Sequence, residues 1–277
     1  MLNEKAFRFN LEHLQTLATI PMMVKKLLNV FDDPALSLRE IAAFVSNDPL
    51  LTTHLLKAVN SPLFGFTGRV TSITQALLLL GLNAAKGLLL GVEAFRHAKG
   101  LEELWAHSVG TAIMARVTGK KAGLQETEDL FVAGLIHDIG KVFLNLKLPN
   151  EYHRALTLAH TREAFIIDTE KEVFETTHAE VAGWVLERWH LSPSLIEPIR
   201  YHHEPSLAKK QSAGTAVVHF SDVLTRALGF GSGGDALVPR IDDWTWARLN
   251  LSRAEIKDIL WESEELMQEA ECFLADA

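Results

Sequence analysis

Helix-start signals recur along this chain while strand signals are almost absent, and this contrast most narrows the folds open to it. Ser37 and Glu40 form a capping box ahead of an apolar run, and Ser252 begins a second box of the same kind. Asp48 stands directly before Pro49, which is the N-cap and first-turn proline of a third helix. The pattern predicts an all-α protein.

The predicted helices fall into two lobes with a boundary near Gly100. Residues 1–100 form an N-terminal helical lobe, and residues 101–277 form a second lobe that ends in a C-terminal helix. The helices predicted after residue 70 lie near 73–80, 82–95, 102–119, 126–137, 151–161, 163–174, 178–189, 193–202 and 212–228. We expect the glycine-rich stretch 229–240 to be a mobile loop. It follows no strand, so the sequence argues against a phosphate-cradling loop there.

Composition excludes several classes of protein. With 277 residues, 48% hydrophobic and 22% charged, the chain can bury a sizeable core. The net charge of −8 and the lack of a basic stripe argue against nucleic-acid binding. The leucine-rich segment 76–95 contains Asn83, Lys86 and Glu93, so we expect no membrane span. One cysteine, Cys272, and no visible signal peptide predict a cytoplasmic protein.

Histidine carries the chemical signal, because nine of the twelve histidines lie between His107 and His219. His137 and Asp138 directly follow the apolar run 130–136, so an imidazole and a carboxylate stand together where the interior should be dry. Such groups need polar partners or a metal ion. The candidate partners on other predicted helices are His107, His178, His202, His203 and Asp222. His219 is expected to support a ligand or to pack, and the alternative for the whole set is a satisfied buried polar network.

At these residues the chain resembles the HD superfamily of metal-dependent phosphohydrolases, and more closely its HDOD (HD-related output domain) branch in bacterial signalling proteins. The motifs are Trp-Ala-His-Ser at 105–108, Leu-Ile-His-Asp-Ile-Gly-Lys at 135–141, His-Ala-Glu-Val at 178–181 and His-Phe-Ser-Asp at 219–222. The first lobe contributes Val-Ser-Asn-Asp-Pro at 45–49. The resemblance implies an HD-type helical core that binds one or two divalent ions of iron, manganese, zinc or nickel. It implies the ligands His107, His137, Asp138 and Asp222, with His178 and His202 or His203 for a second ion.

Two functions follow from the resemblance. The first is hydrolysis of a phosphoester or nucleotide, in which Asp138 bridges the ions and Lys141 contacts the phosphate; the other interpretation of Lys141 is a surface residue that caps its helix. The Gly-x-Gly-Tyr-Pro signature of cyclic di-GMP phosphodiesterases is missing after His203. The second function is a non-catalytic regulatory module with a structural or vestigial metal site. In that case the first lobe would bind a protein partner or relay a signal, whereas the enzyme would act on a signalling nucleotide or another phosphorylated small molecule.

Overall fold

The computed structural model describes residues 22–61, 66, 68–96 and 100–270, and Cys272 lies outside these ranges. The described residues form α-helices, a short 3₁₀-helix (Pro205–Leu207) and no strand, so the all-α prediction is confirmed. The α-helices are α1 (Met22–Phe31), α2 (Leu38–Ser46), α3 (Pro49–Asn60), α4 (Ile73–Leu80), α5 (Leu82–Arg96), α6 (Glu102–Lys121), α7 (Thr127–Ile136), α8 (Ile139–Lys147), α9 (Pro149–Arg162), α10 (Ile166–Phe174), α11 (His178–Arg188), α12 (Pro193–Arg200), α13 (Ser212–Leu228), α14 (Asp243–Leu249) and α15 (Arg253–Glu269).

The helix caps read from the sequence are present. The Ser37 side chain accepts a hydrogen bond from the backbone N–H of Glu40, whose carboxylate in turn accepts from the Ser37 backbone. Asp48 accepts from the backbone N–H groups of Leu50 and Leu51 at the start of α3. These bonds satisfy N–H groups that have no partner inside the helix, which explains why the helices begin at these residues.

The two predicted lobes share one continuous hydrophobic core, and α5 lies between them. On one side α5 packs against α1, α3 and α4, and on the other against α7. Gly87 and Gly91 stand one turn apart on α5, and a β-carbon on Gly91 would overlap the Ile136 side chain of α7. Because glycine has no β-carbon, α5 packs closely against α7, the helix that leads to His137. The boundary near Gly100 stays a prediction.

A buried lysine also joins the lobes. Lys86 of α5 is 5% exposed, and its Nζ lies 2.5 Å from Asp32 Oδ1 and 2.7 Å from the Trp189 carbonyl oxygen. Trp189 directly follows α11, so this lysine ties the first lobe to the end of a helix that begins at His178. A buried charge needs such partners.

No single helix in the described ranges is long and apolar enough to cross a membrane. Helices α4 and α5 pass that test only as a pair, and they are bent by 111° at the break between them. Most of α5 is buried in the core of the protein, where its leucines contact other helices.

Candidate metal centre

The structure brings all of the predicted ligands into one cluster in the second lobe. His107 lies on α6, His137 and Asp138 join α7 to α8, His178 begins α11, His202 and His203 follow α12, and Asp222 lies on α13. All are buried except His203, which is partly exposed at the edge of the cluster. These helices pack against one another, so residues far apart in sequence meet at one point.

One detail of the sequence analysis is wrong: the helix that begins at Pro193 does not extend to His202. Helix α12 ends at Arg200, and the two histidines lie in the turn that follows. Pro205 prevents a helix from continuing through Glu204, because a proline disfavours the helical conformation of the residue before it. The turn lets both imidazole rings face the cluster.

Asp138 stands at the centre of the cluster, and its two oxygens face different groups. Oδ2 lies 3.4 Å from His137 Nε2 and 3.7 Å from His107 Nε2. Oδ1 lies 3.1 Å from His178 Nε2 and 3.9 Å from His202 Nε2. Although Asp138 occupies the N-cap of α8, its side chain caps no backbone N–H. Both oxygens are therefore directed at imidazole nitrogens, as a carboxylate that bridges two ions requires.

Four other contacts complete the geometry. Asp222 Oδ1 lies 3.1 Å from His107 Nε2 and 3.9 Å from His137 Nε2, which makes one group of two imidazoles and a carboxylate. On the other side of Asp138, His178 Nε2 lies 3.4 Å from His202 Nε2 and 3.0 Å from His203 Nε2. The cluster therefore has two halves, and Asp138 lies between them.

The hydrogen bonds on the outer side of the rings determine which ring nitrogen carries the proton and which one presents a lone pair to the interior of the cluster. His137 Nδ1 lies 2.7 Å from the Gly134 carbonyl oxygen, and His202 Nδ1 lies 2.6 Å from that of Ile199. His178 Nδ1 lies 2.6 Å from Glu170 Oε2. Since these acceptors require Nδ1 to carry the proton, each Nε2 of the neutral ring presents a lone pair to the interior.

Lone pairs that face one another across 3–4 Å are unfavourable unless a cation lies between them. Within the described residues, His107 Nε2, His137 Nε2 and Asp138 Oδ1 are buried and make no hydrogen bond of acceptable geometry. Leaving such atoms without partners costs about 1–3 kcal/mol each. Imidazole nitrogens with bridging carboxylates are the donor set of zinc, iron, manganese and nickel, so these residues fit a divalent metal.

The electrostatics of the two carboxylates agree with this interpretation. Burial opposes their ionisation, but His137 and Lys141 hold the pKa of Asp138 well below its usual range. The adjacent His107 ring similarly holds the pKa of Asp222 well below its usual range. Both groups are therefore carboxylates at neutral pH, the form that binds metal ions.

The imidazoles divide into two classes. Burial, together with the neighbouring rings, holds the pKa values of His202 and His203 well below the usual value, and burial also lowers the pKa of His107. These three rings are neutral at pH 7. Burial acts in the same direction on His178, but the Glu170 carboxylate outweighs it and raises the pKa of that ring.

Lys141 is not the surface residue that one interpretation of the sequence allowed. It is 1% exposed, and its Nζ lies 2.6 Å from Asp138 Oδ2 and 2.7 Å from the Gly233 carbonyl oxygen. The ammonium group therefore lies at the central carboxylate of the cluster, beneath the glycine-rich loop. This position is compatible with contact to a phosphate beside the cluster.

Two supporting residues surround the ligands. His219 Nδ1 lies 2.6 Å from the His202 carbonyl oxygen, and its Nε2 accepts from the Asp242 backbone N–H at 3.0 Å. It orients the turn and does not face the cluster, in agreement with the supporting role expected from the sequence. Glu170 was missed, although it is fully buried and bonds to both Nδ1 and the backbone N–H of His178.

A helical protein whose centre is a His-Asp pair surrounded by buried histidines belongs to the HD class of folds. The HDOD domain family matches residues 17–205, more than half of the chain. The chain belongs to the HDOD family. Asp222 and the glycine-rich loop lie beyond the matched residues, so their place in the site rests on the geometry above.

The related proteins agree with this assignment. An uncharacterised protein of Treponema pallidum is 29% identical over 220 residues, and the match spans 76% of this chain but only 42% of that relative. A solved HDOD domain protein of unknown function from Geobacter sulfurreducens is 27% identical, with a TM-score of 0.75 over 99% of this chain and 97% of its own. A Shewanella amazonensis structure, provisionally described as a phosphohydrolase, is 19% identical, with a TM-score of 0.67 over 94% and 97% of the two chains, and shows the shared fold.

Proposed function

We propose that this HDOD protein is a metal-dependent phosphohydrolase that acts on a phosphoester in bacterial signal transduction. The observation that carries the proposal is the arrangement of Asp138, whose two oxygens face two separate groups of inward-directed imidazole nitrogens. The Shewanella relative supports the same assignment by its description. A merely structural polar network would have no need for so many ring nitrogens without hydrogen-bond partners.

The chain's own residues supply the binding and the charge balance. His107, His137, Asp138 and Asp222 would hold one ion, and Asp138 with His178, His202 and His203 would hold a second. Bound divalent ions polarise a phosphoryl oxygen and lower the pKa of a water. Lys141 neutralises charge on Asp138 and is placed to contact the phosphate.

Glu170 fixes the ring of His178 by accepting its Nδ1 proton. The partly exposed His203 lies on the side of the cluster where a pocket opens to solvent. The substrate therefore enters past His203, and the buried helices on the other sides exclude water.

The test is the pair of variants Asp138→Asn and Asp243→Asn. Asparagine keeps the shape of Asp138 and a partner for Lys141, but it cannot bridge two cations. We expect wild-type protein, purified without added metal or a histidine tag, to contain about two equivalents of metal and to hydrolyse p-nitrophenyl phosphates. Asp138→Asn should lose both metal and at least about 100-fold in rate, since metal charge stabilisation is worth several kcal/mol.

The Asp243 carboxylate is 80% exposed and pairs with Arg240, so its variant is the matched control. It should keep full metal content and rate. Asp138→Asn protein with full metal content and full rate would contradict the assignment.

A regulatory role of the first lobe is the second candidate, and the Lys86 contact favours it. Lys86 links α5 to the carbonyl of Trp189, at the far end of the helix that begins with His178. A protein partner on the first lobe could therefore influence the cluster. Leu78 of α4 is 68% exposed, so it is the residue to test for contact with a protein partner. A partner recovered with wild type and with Asp138→Asn but not with Leu78→Glu would support this role. Equal recovery of the partner with Leu78→Glu would oppose it.

A further inference from the structure

The glycine-rich loop 229–240 passes beside the candidate metal centre and is anchored at two points. The backbone N–H of Ser232 donates to the Glu103 carbonyl oxygen at 3.0 Å, at the start of α6. At the other point, the carboxylate of Asp235 forms an ion pair with Arg226 of α13. The loop is therefore held against two helices that carry predicted metal ligands, which differs from the mobile loop expected from the sequence.

Both oxygens of Asp235 are occupied by donors of the protein. Oδ1 accepts from the backbone N–H of Leu237 at 2.9 Å and pairs with the guanidinium of Arg226. Oδ2 accepts from the backbone N–H of Ile166 at 2.9 Å. The Asp235 side chain is 2% exposed and that of Arg226 is 6% exposed. Such a buried set of charge-assisted bonds holds its members firmly, because breaking it leaves a buried charge without a partner.

The bond to Ile166 caps a helix. Ile166 is the first residue of α10, and the N-cap residue Phe165 makes no side-chain bond to this end. Asp235 therefore supplies, from 69 residues away, the acceptor that the start of a helix requires. Glu170 lies one turn further along α10 and accepts both bonds from His178. Asp235 thus holds the helix that orients this ligand candidate.

The ion pair with Arg226 leads to the other half of the cluster. Arg226 follows Asp222 by four residues, so the two side chains lie on the same face of α13. Asp235 therefore joins the helix of Asp222 to the helix of Glu170. This connection is separate from Asp138, the carboxylate that lies between the two halves of the cluster.

The same loop packs closely on α6, which carries His107. A β-carbon on Gly231, whose φ is +68°, would lie 2.3 Å from the backbone nitrogen of His107. One turn further along α6, a β-carbon on Gly110 would lie 2.6 Å from the ring of Phe230. Both glycines therefore permit contacts that a side chain would prevent. The loop contacts the first half of the cluster through α6 and α13, and it reaches the second half through α10.

We propose that Asp235 is a positioning residue that fixes the two halves of the cluster relative to one another and so sets the separation of the two ions. This inference rests on the proposed function, because it concerns the metal centre on which that function depends. Since protein donors occupy both of its oxygens, Asp235 acts through its neighbours and not as a metal ligand. It acts through Arg226 on α13 and through Ile166 on α10.

The first test compares Asp235→Ala with Asp48→Ala in metal-free protein. Both changes remove a carboxylate that caps a helix, but Asp48 caps α3 in the first lobe, so its variant is the matched control. We expect hydrogen exchange at residues 166–178 and 222–232 to become at least about tenfold faster in Asp235→Ala, since bonds to a charged group are lost. Asp48→Ala should leave both segments at wild-type rates.

The second test uses Mn²⁺ as the probe and reads the separation of the ions by electron paramagnetic resonance. Wild-type protein loaded with about two equivalents should give the spectrum of a coupled pair. Asp235→Ala should shift this spectrum toward that of isolated Mn²⁺, whereas Asp48→Ala should keep the coupled spectrum. Asp235→Asn keeps the shape and an acceptor for Ile166, so it is the second variant if alanine prevents folding. Its spectrum should change in the same direction, because it lacks the charge that pairs with Arg226.

The outcomes separate this inference from the proposed function. Faster exchange in Asp235→Ala but not in Asp48→Ala would support the positioning role, even if wild-type protein binds no metal and the proposed function fails. Wild-type exchange and a wild-type Mn²⁺ spectrum in the Asp235 variants would overturn it, even if the protein hydrolyses phosphoesters. Faster exchange with an unchanged spectrum of the coupled pair would also overturn it, because Asp235 would then stabilise α10 without setting the separation of the ions.

Discussion

Replacing Glu170 by glutamine should weaken metal binding without removing any metal ligand. Glu170 is fully buried, and its Oε2 lies 2.6 Å from His178 Nδ1 and 2.9 Å from the His178 backbone nitrogen. Glutamine keeps the shape and can accept a hydrogen bond, but it loses the charge that polarises the ring. A hydrogen bond to a charged group contributes about 1.5–3 kcal/mol and a neutral one about 0.5–1.5 kcal/mol, so the loss is about 1–2 kcal/mol.

That loss corresponds to a decrease in metal affinity of about 5- to 30-fold. Its upper part overlaps the range of about 10–100-fold that is typical when a carboxylate bound to a ligating histidine is changed. The assay is competition for Zn²⁺ or Mn²⁺ against a chromophoric chelator at pH 7.5. Glu172→Gln is the control, because Glu172 lies on the same helix but pairs with Arg162 at the surface. Equal affinities for wild type, Glu170→Gln and Glu172→Gln would refute the argument that Glu170 orients His178 for a metal.

Two further perturbations test the packing and the titration of the site. Gly140→Ala should destabilise the protein by about 1–3 kcal/mol in urea unfolding, since its β-carbon would overlap the His178 carbonyl, whereas Gly233→Ala should leave stability unchanged. Acid should destabilise the metal-free protein below about pH 6.5, because burial depresses the pKa values of His202 and His203 and the unfolded chain therefore binds more protons. The raised pKa of His178 acts in the opposite direction, but it is one ring against three, because burial lowers the pKa of His107 as well. A melting temperature that does not fall between pH 7.5 and 5.5 would count against this assignment of protonation states.

The helices could be predicted from the sequence because their signals are local. The predicted helices at 73–80 and 212–228 match α4 and α13, and the capping residues Ser37 and Asp48 do what their positions indicated. Helix α8 was not predicted, because Gly140 weakens the helical pattern just after the His-Asp pair. It forms because Ile139, Val142 and Leu144 are buried in the core, and that packing is not a local property.

The clustered histidines could be found from the sequence because histidines in an apolar context are conspicuous. Glu170 was missed because an acidic residue on a helix usually faces solvent. A signal was nevertheless present. Glu170 is four residues from both Ile166 and Phe174, so it lies on the buried stripe of α10. A carboxylate on such a stripe requires a partner, and here the partner is His178.

The two carboxylates that face the cluster from α8 and α13 share a further property. Lys141 follows Asp138 by three residues, and Arg226 follows Asp222 by four, so on each helix a cation lies one turn beyond the carboxylate on the same face. Lys141 Nζ and Arg226 Nη1 both lie near Gly233, 3.7 and 3.8 Å from the position that a β-carbon there would take. Each helix thus supplies a carboxylate oxygen to the candidate metal centre and a cationic nitrogen one turn further along. Because Asp222 and Arg226 both lie beyond residue 205, the segment outside the HDOD match contributes half of this arrangement.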